Sequence, residues 1–141
     1  YPPIYAALCE KVGFSSSLLI RGVEGGVVPS LRQKGLMISY HRGVEKARVD
    51  IDPKLLGINS ELRAIAFPKE FENGIERDLI AEYAVNLGRS ALSGESGLFY
   101  DGLVYSASLI LWHIGKSKTL PSAADKVREV LNSGKALTRL G

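Results

Sequence analysis

The chain has 141 residues, of which 45% are hydrophobic and 23% charged, and its formal net charge is +3. This length suits one domain that buries a core without disulfides or a structural metal, and the composition excludes fibrous and largely disordered classes. No apolar run reaches the roughly 18 residues that a membrane span needs. The single cysteine, Cys9, excludes an internal disulfide and a cysteine-rich zinc site.

The start of the chain shows no charged segment followed by an apolar one, so no secretory signal is visible. We therefore expect a reducing compartment, the cytoplasm or, in a plant, the plastid stroma, and no contact with a membrane. The chain opens Tyr1-Pro2-Pro3, and its one methionine is Met37. We interpret this start as that of a processed protein or of a piece of a larger one.

The first half predicts one helix and three strands. Apolar residues recur at helical spacing over residues 3–12, and residues 17–21 form a short apolar run typical of a buried strand. Two further strands are predicted at 36–40 and 46–51, joined as a hairpin. In the second of these, charged and apolar residues alternate, so one face meets water. Residues 55–67 are predicted to be irregular or to contain one weak strand.

The second half predicts helices. Residues 75–92 carry an apolar stripe with polar residues on the other sides. Residues 102–114 are apolar nearly all round, which predicts a central helix with Asp101 as its N-cap. A further helix spans 121–134, opened by a proline and closed by a glycine, and residues 135–140 form a last turn. We expect an α/β fold of short strands with packed helices and a helical C-terminal half, over a single unit 1–141.

A glycine-rich loop after the first strand is the candidate ligand site. In α/β folds ligands bind beyond the carboxyl ends of strands, where an arginine can grip a phosphate and glycine backbone can approach it closely. The alternative for this loop is a tight turn with the arginine on the surface. Glu24 is either a water-mediated metal contact or a solvated loop charge. The candidate phosphate-binding residues are Arg21, Gly22, Glu24, Gly25 and Gly26.

Other chemically capable residues favour structural roles. His41 and His113 have no Asp, Ser or Cys partner visible in the sequence, and we expect His113, at the end of an apolar helix, to satisfy a carbonyl. Cys9 is interpreted as a small core residue rather than a nucleophile, and Tyr105 and Trp112 as core rather than stacking platforms. No catalytic residue and no metal ligand is predicted.

The basic excess is concentrated at the C-terminal end. From residue 113 onward six Lys and Arg face two acidic residues, a local balance of +4, and the rest of the chain sums to −1. Such a segment is typical of solvated helix faces. The alternative is attraction to phosphate or nucleic acid, because backbone contacts need only clustered Lys and Arg.

Four stretches, in order along almost the whole chain, resemble motifs of the anthranilate phosphoribosyltransferases. They are residues 19–25, which resemble the family's apolar-His-Gly-x-Asp-Gly; residues 51–58, which resemble its Pro-x-x-Phe-Gly-Leu; residues 92–97, with Leu-Ser-Gly-Glu; and residues 122–137, with the tail Ser-Gly-Lys-Ala. The resemblance implies the C-terminal part of a larger α/β domain. The family's N-terminal helical domain and phosphate loop would lie upstream.

The resemblance implies phosphoribosyl transfer from phosphoribosyl pyrophosphate to anthranilate, a step of tryptophan biosynthesis, with Mg²⁺ and a homodimeric parent. The family's loop His and Asp fall on Arg21 and Glu24, and its adjacent Mg²⁺-binding carboxylates fall on Val27 and Val28. Valine offers no oxygen ligand. The Asn expected in the buried helix falls on Ser106. No cofactor is therefore expected in this chain, and Mg²⁺ and phosphoribosyl pyrophosphate only if the parent keeps the family activity.

Two hypotheses follow. The first is a C-terminal segment of such a transferase, inactive alone, with the remainder of its parent chain as partner and a phosphorylated small molecule as ligand. The alternative is a non-enzymatic nucleic-acid-binding protein on the same fold, similar to some members of a divergent branch without the metal carboxylates.

Overall fold

The computed structural model describes residues 1–22, 28–64 and 77–140. Three strands form one antiparallel sheet in the order β1-β2-β3, and helices fill the C-terminal half, which confirms the predicted fold class. The elements in chain order are α1 (Pro2–Val12), β1 (Ser16–Ile20), β2 (Gly35–His41), β3 (Val44–Ile51), a short 3-10 helix (Pro53–Leu56), α2 (Arg77–Leu92), α3 (Leu98–His113), α4 (Leu120–Asn132) and α5 (Lys135–Leu140).

The start of α3 differs from the prediction. The helix begins at Leu98 because residues 98–100 are apolar and pack on the core. The prediction of Asp101 as N-cap was wrong, since Asp101 lies within the first turn and the N-cap, Gly97, makes no side-chain capping bond. At the next helix the side chain of Thr119 does cap, accepting a hydrogen bond from the backbone N–H of Ser122.

Strands β2 and β3 form the predicted hairpin, and a bulge interrupts it. The turn residues Arg42 and Gly43 both have positive φ, 48° and 68°. In the register, Ser39 pairs with Ala47 and Tyr40 with Glu45, so Lys46 is an extra, unpaired residue. The bulge brings Glu45 onto the same sheet face as Arg48, which a regular strand would place opposite it. Their side chains form an ion pair of 2.9 Å.

The sheet carries helices on both faces. On one face Ala6 of α1 packs with Ile38 and Tyr40 of β2. On the other face Met37 of β2 and Ile51 of β3 join the larger core with the C-terminal helices. Because side chains alternate along a strand, β2 supplies fully buried residues to both cores.

The larger core is centred on α3, as predicted. Val104, Tyr105, Ser108 and Leu109 are fully buried, while Trp112 is partly buried against the same core. The core role predicted for the two aromatic residues is thus confirmed. Among the described helices, none is long and apolar enough to cross a membrane.

Removing a core side chain of α3 should destabilise the protein far more than removing its exposed neighbour. Leu109 is 0% and Ile110 53% exposed. Leu109→Ala should lower the free energy of unfolding by about 2–5 kcal/mol, because it leaves a cavity. Ile110→Ala should cost less than about 1 kcal/mol. Urea denaturation followed by circular dichroism measures both, and equal losses would contradict the central position of α3.

Candidate functional site

One end of the sheet brings together the end of β1, the start of β2 and the end of β3. We call the residues there, Arg21, Gly22, Lys34, Gly35 and Asp52, the sheet-end site. The Arg21 N–H donates to the carbonyl of Leu36 at 2.8 Å, which extends the β1–β2 pairing by one bond. The Arg21 side chain is exposed, and Gly22 is half-buried. The predicted arginine therefore stands at the carboxyl end of β1, beside the amino end of the antiparallel strand β2.

Gly35, the first residue of β2, has close neighbours on both sides, from β3 and from the end of β1. A Cβ added there would lie 3.4 Å from the Ile51 side chain and 3.5 Å from the Arg21 carbonyl oxygen. Both distances are ordinary van der Waals contact, so an alanine at this position of β2 would fit without a clash.

The remainder of the predicted phosphate loop lies outside the described residues. This holds for Glu24, Gly25 and Gly26, so their ligand role stays a prediction. Val28 is described, and its exposed aliphatic side chain offers none of the oxygen ligands that Mg²⁺ requires. Within the described ranges no group of three or more His, Cys, Asp or Glu side chains could hold a metal.

Asp52 is the acidic group of the sheet-end site. One carboxylate oxygen accepts the backbone N–H of Lys54 at 3.0 Å, and the other lies 3.6 Å from the Lys34 ammonium. The Lys34 side chain is 78% exposed, so this ion pair is weak. Lys34 can therefore turn to an anionic ligand beside Arg21.

Arg128 of α4 is held by protein groups. Its Nη2 donates to the Leu56 carbonyl, and its Nη1 lies 3.7 Å from the Asp125 carboxylate. A Cβ added at Gly57, whose φ is 73°, would lie 3.3 Å from this guanidinium. Arg128 thus belongs to the packing of α4 on the 3-10 helix, although the sequence placed it in the basic segment.

Burial shifts the pKa of three ionisable groups of α3, Asp101, Tyr105 and His113. Burial, and less strongly the charge of Asp52, raises the pKa of Tyr105. The Tyr105 hydroxyl is buried and has no hydrogen-bond partner within the described part of the chain. Burial also raises the pKa of Asp101, which the charge of Arg128 partly offsets.

At the opposite end of the sheet, His113 lies between two serines. Its Nε2 is 2.8 Å from the Ser16 hydroxyl, and its Nδ1 is 2.8 Å from the Ser39 hydroxyl. Burial lowers the pKa of His113. The prediction that it satisfies a carbonyl was wrong, because both ring nitrogens bond to serine hydroxyls. These serines lie 97 and 74 residues away from His113 in the sequence. The only sequence signal was a serine within the apolar strand β2. His41 is exposed.

The comparisons with known proteins agree with the predicted resemblance. The chain is 26% identical over 135 residues to an anthranilate phosphoribosyltransferase of Bacillus cereus, covering 96% of this chain and 36% of that protein. An uncharacterised protein of Aquifex aeolicus is 23% identical over 125 residues, covering 88% and 36%. No protein-family model matches the chain.

A solved structure shows the same likeness in three dimensions. The crystal structure of anthranilate phosphoribosyltransferase from Thermus thermophilus matches with a TM-score of 0.64 and 26% identity, over 96% of this chain and 36% of that one. The chain therefore resembles anthranilate phosphoribosyltransferases in fold and sequence and spans about a third of their length.

Proposed function

We propose that the chain is part of an anthranilate phosphoribosyltransferase-like protein and binds a phosphorylated small molecule at the sheet-end site. The observation that carries the proposal is the position of Arg21, fixed at the end of β1 by its bond to Leu36 with its side chain exposed. A guanidinium matches phosphate oxygens in a bidentate manner. The relatives' name, which specifies phosphoribosyl transfer, points to a phosphoribosyl compound as ligand.

The proposal assigns binding to this chain and no transfer step. The two positions that align with the family's metal carboxylates are valines, which cannot hold Mg²⁺. The charge of a pyrophosphate leaving group would then be stabilised only by cations such as Arg21 and Lys34. We therefore expect no Mg²⁺-dependent consumption of phosphoribosyl pyrophosphate with anthranilate by this chain. Turnover at ordinary enzyme rates would contradict this part of the proposal.

The proposed partner is the remainder of a longer parent chain, which would cover the outer face of α1. At about 100° per residue, five apolar residues lie on the side of the helix opposite the buried Ala6, and each is more than half exposed. An apolar face of this extent marks a contact surface. The relatives are roughly two and a half times as long as this chain. The residues of this face are Tyr1, Ile4, Tyr5, Leu8 and Val12.

Arg21→Ala tests the ligand site directly. A hydrogen bond to a charged group contributes about 1.5–3 kcal/mol, so the variant should bind phosphoribosyl pyrophosphate and inorganic pyrophosphate roughly tenfold or more weaker than the wild type. Isothermal titration calorimetry without added Mg²⁺ gives the affinities. Arg89→Ala is the matched control, because Arg89 is an exposed arginine of α2, and its affinities should equal the wild type's. Unchanged binding in Arg21→Ala would favour a tight turn with a surface arginine.

A second candidate function, binding of single-stranded nucleic acid, is favoured by one corner of the helical half. Lys116, Lys118 and Lys126 are all exposed there, and the Lys126 ammonium donates to the Lys116 carbonyl at 2.7 Å. This contact holds the lysines of the α3–α4 turn and of α4 together. Clustered ammonium groups attract phosphates without reading sequence.

Salt dependence tests this second candidate. Affinity for a single-stranded oligonucleotide, measured by fluorescence anisotropy, should fall as salt rises. In Lys118→Gln the slope of log K against log salt should be smaller by about 0.7, the value for one phosphate contact on a single strand. Lys11→Gln, at an exposed lysine of α1, should leave the slope unchanged. No binding at low salt, or binding insensitive to salt, would remove this candidate.

A further inference from the structure

We propose that His113 is a pH-operated latch, which holds the C-terminal end of α3 against β1 and β2 and releases it when the imidazole takes up a second proton. This inference concerns the end of the sheet opposite the proposed ligand site. It stands independently of the proposed function.

The strand register places two serine hydroxyls where the imidazole of His113 can bond to both. Ser16 pairs with His41 and Leu18 with Ser39, so Ser16 and Ser39 lie on one face of neighbouring strands. His113, the last residue of α3, places one ring nitrogen on each hydroxyl at 2.8 Å. A single side chain therefore joins the helix end to two strands.

The hydrogen-bond network assigns the protons of this cluster. A neutral imidazole has one N–H donor and one acceptor nitrogen. The Ser16 hydroxyl donates to the Tyr40 carbonyl at 3.3 Å, which leaves its oxygen to accept from Nε2–H of His113. Nδ1 is then the acceptor, and the Ser39 hydroxyl donates to it. In this arrangement every hydroxyl and ring nitrogen is used.

A second proton breaks this arrangement at Ser39. An imidazolium carries an N–H on both nitrogens, so Nδ1 can no longer accept, and the Ser39 hydroxyl must turn away. Ser39 is 9% exposed, which leaves its proton without water to replace the lost acceptor. The Ser39 oxygen can then accept from Nδ1–H, but its own buried O–H has lost its acceptor, which favours movement of the ring or of the helix end.

Among the residues that the structure describes, the groups around the latch offer no compensation for a positive charge. β1 carries no titratable side chain. On β2 the titratable side chain on the same face as Ser39 is that of His41. In the turn after α3, Lys116 is exposed and cationic. Glu45 lies with Tyr40 and Arg48 on the other face of the sheet. Burial accordingly lowers the pKa of His113, and no neighbouring charge offsets it among these residues.

The direction of the pH effect follows from that shift. Because the folded state holds the pKa of His113 below its ordinary value of about 6.5, the latch contributes fully to stability above that pH. Its contribution is lost as the pH falls below about 6.5 toward the folded-state pKa.

Trp112, the one tryptophan of the chain, adjoins His113 and reports on the latch. On lowering the pH from about 8 to about 5, a range that brackets the ordinary histidine pKa, we expect a reversible shift in Trp112 emission that follows the titration of the His113 ring proton in NMR spectra. In Ser39→Ala the midpoint should move to higher pH, because the hydrogen bond that favours the neutral ring is gone. His113→Gln should abolish the transition, and His41→Gln, the matched control, should retain it.

Two outcomes would overturn the proposal. One is Trp112 emission that stays constant while the His113 resonance titrates. The other is the same emission shift in His113→Gln as in the wild type. If His113→Gln does not fold, the wild type and Ser39→Ala still decide the matter, since an unchanged midpoint in Ser39→Ala contradicts the assigned hydrogen bond.

Discussion

Burial of α3 between the sheet and α4 is the constraint on which the described structure depends. A three-stranded antiparallel sheet is marginal unless one face packs on helices, and here Met37 and Ile51 pack into the core around α3. Even the hydroxyl of Ser108, in the middle of the helix, is satisfied within the helix by the Val104 carbonyl. The position of α3 therefore fixes the sheet, and with it both clusters of chemically active side chains.

The two clusters lie toward opposite ends of α3. Near its start, Asp101 experiences the charge of Arg128, and Tyr105 that of Asp52 in the sheet-end site. At its end His113 binds the serines of β1 and β2.

Three of the four stretches that resemble the transferase motifs meet at α4. Arg128 of the last stretch donates to Leu56 of the second. Gly94 of the third has φ 89°, and a Cβ there would lie 2.9 Å from the Asn132 Cα, so glycine is required by packing as well as by conformation. The residues of these motifs therefore serve the packing of helices and turns against one another. This explains why the resemblance in fold is clear although the positions of the metal carboxylates hold valine.

The sequence was informative wherever structure is local. Alternation predicted the half-exposed strand β3, and uniform apolarity predicted the burial of α3. It failed where the deciding contact is distant or where two local signals compete. Asp101 was predicted as a cap because its side chain can cap, but the apolar residues before it extended the helix. The partners of His113 and the bulge at Lys46 arise from strand register, which periodicity does not reveal.

We propose that the sheet-end site, rather than the exposed lysines of the α3–α4 turn and of α4, receives a phosphorylated ligand. Backbone amide chemical-shift mapping by NMR, with the full 141-residue chain titrated with inorganic pyrophosphate, tests it most directly. We expect the largest shifts at Arg21, Gly22, Lys34 and Gly35, and these shifts should saturate at the same pyrophosphate concentration as the binding measured by calorimetry. Shifts confined to the region of Lys116, Lys118 and Lys126, or no saturable shifts at the sheet end, would contradict it.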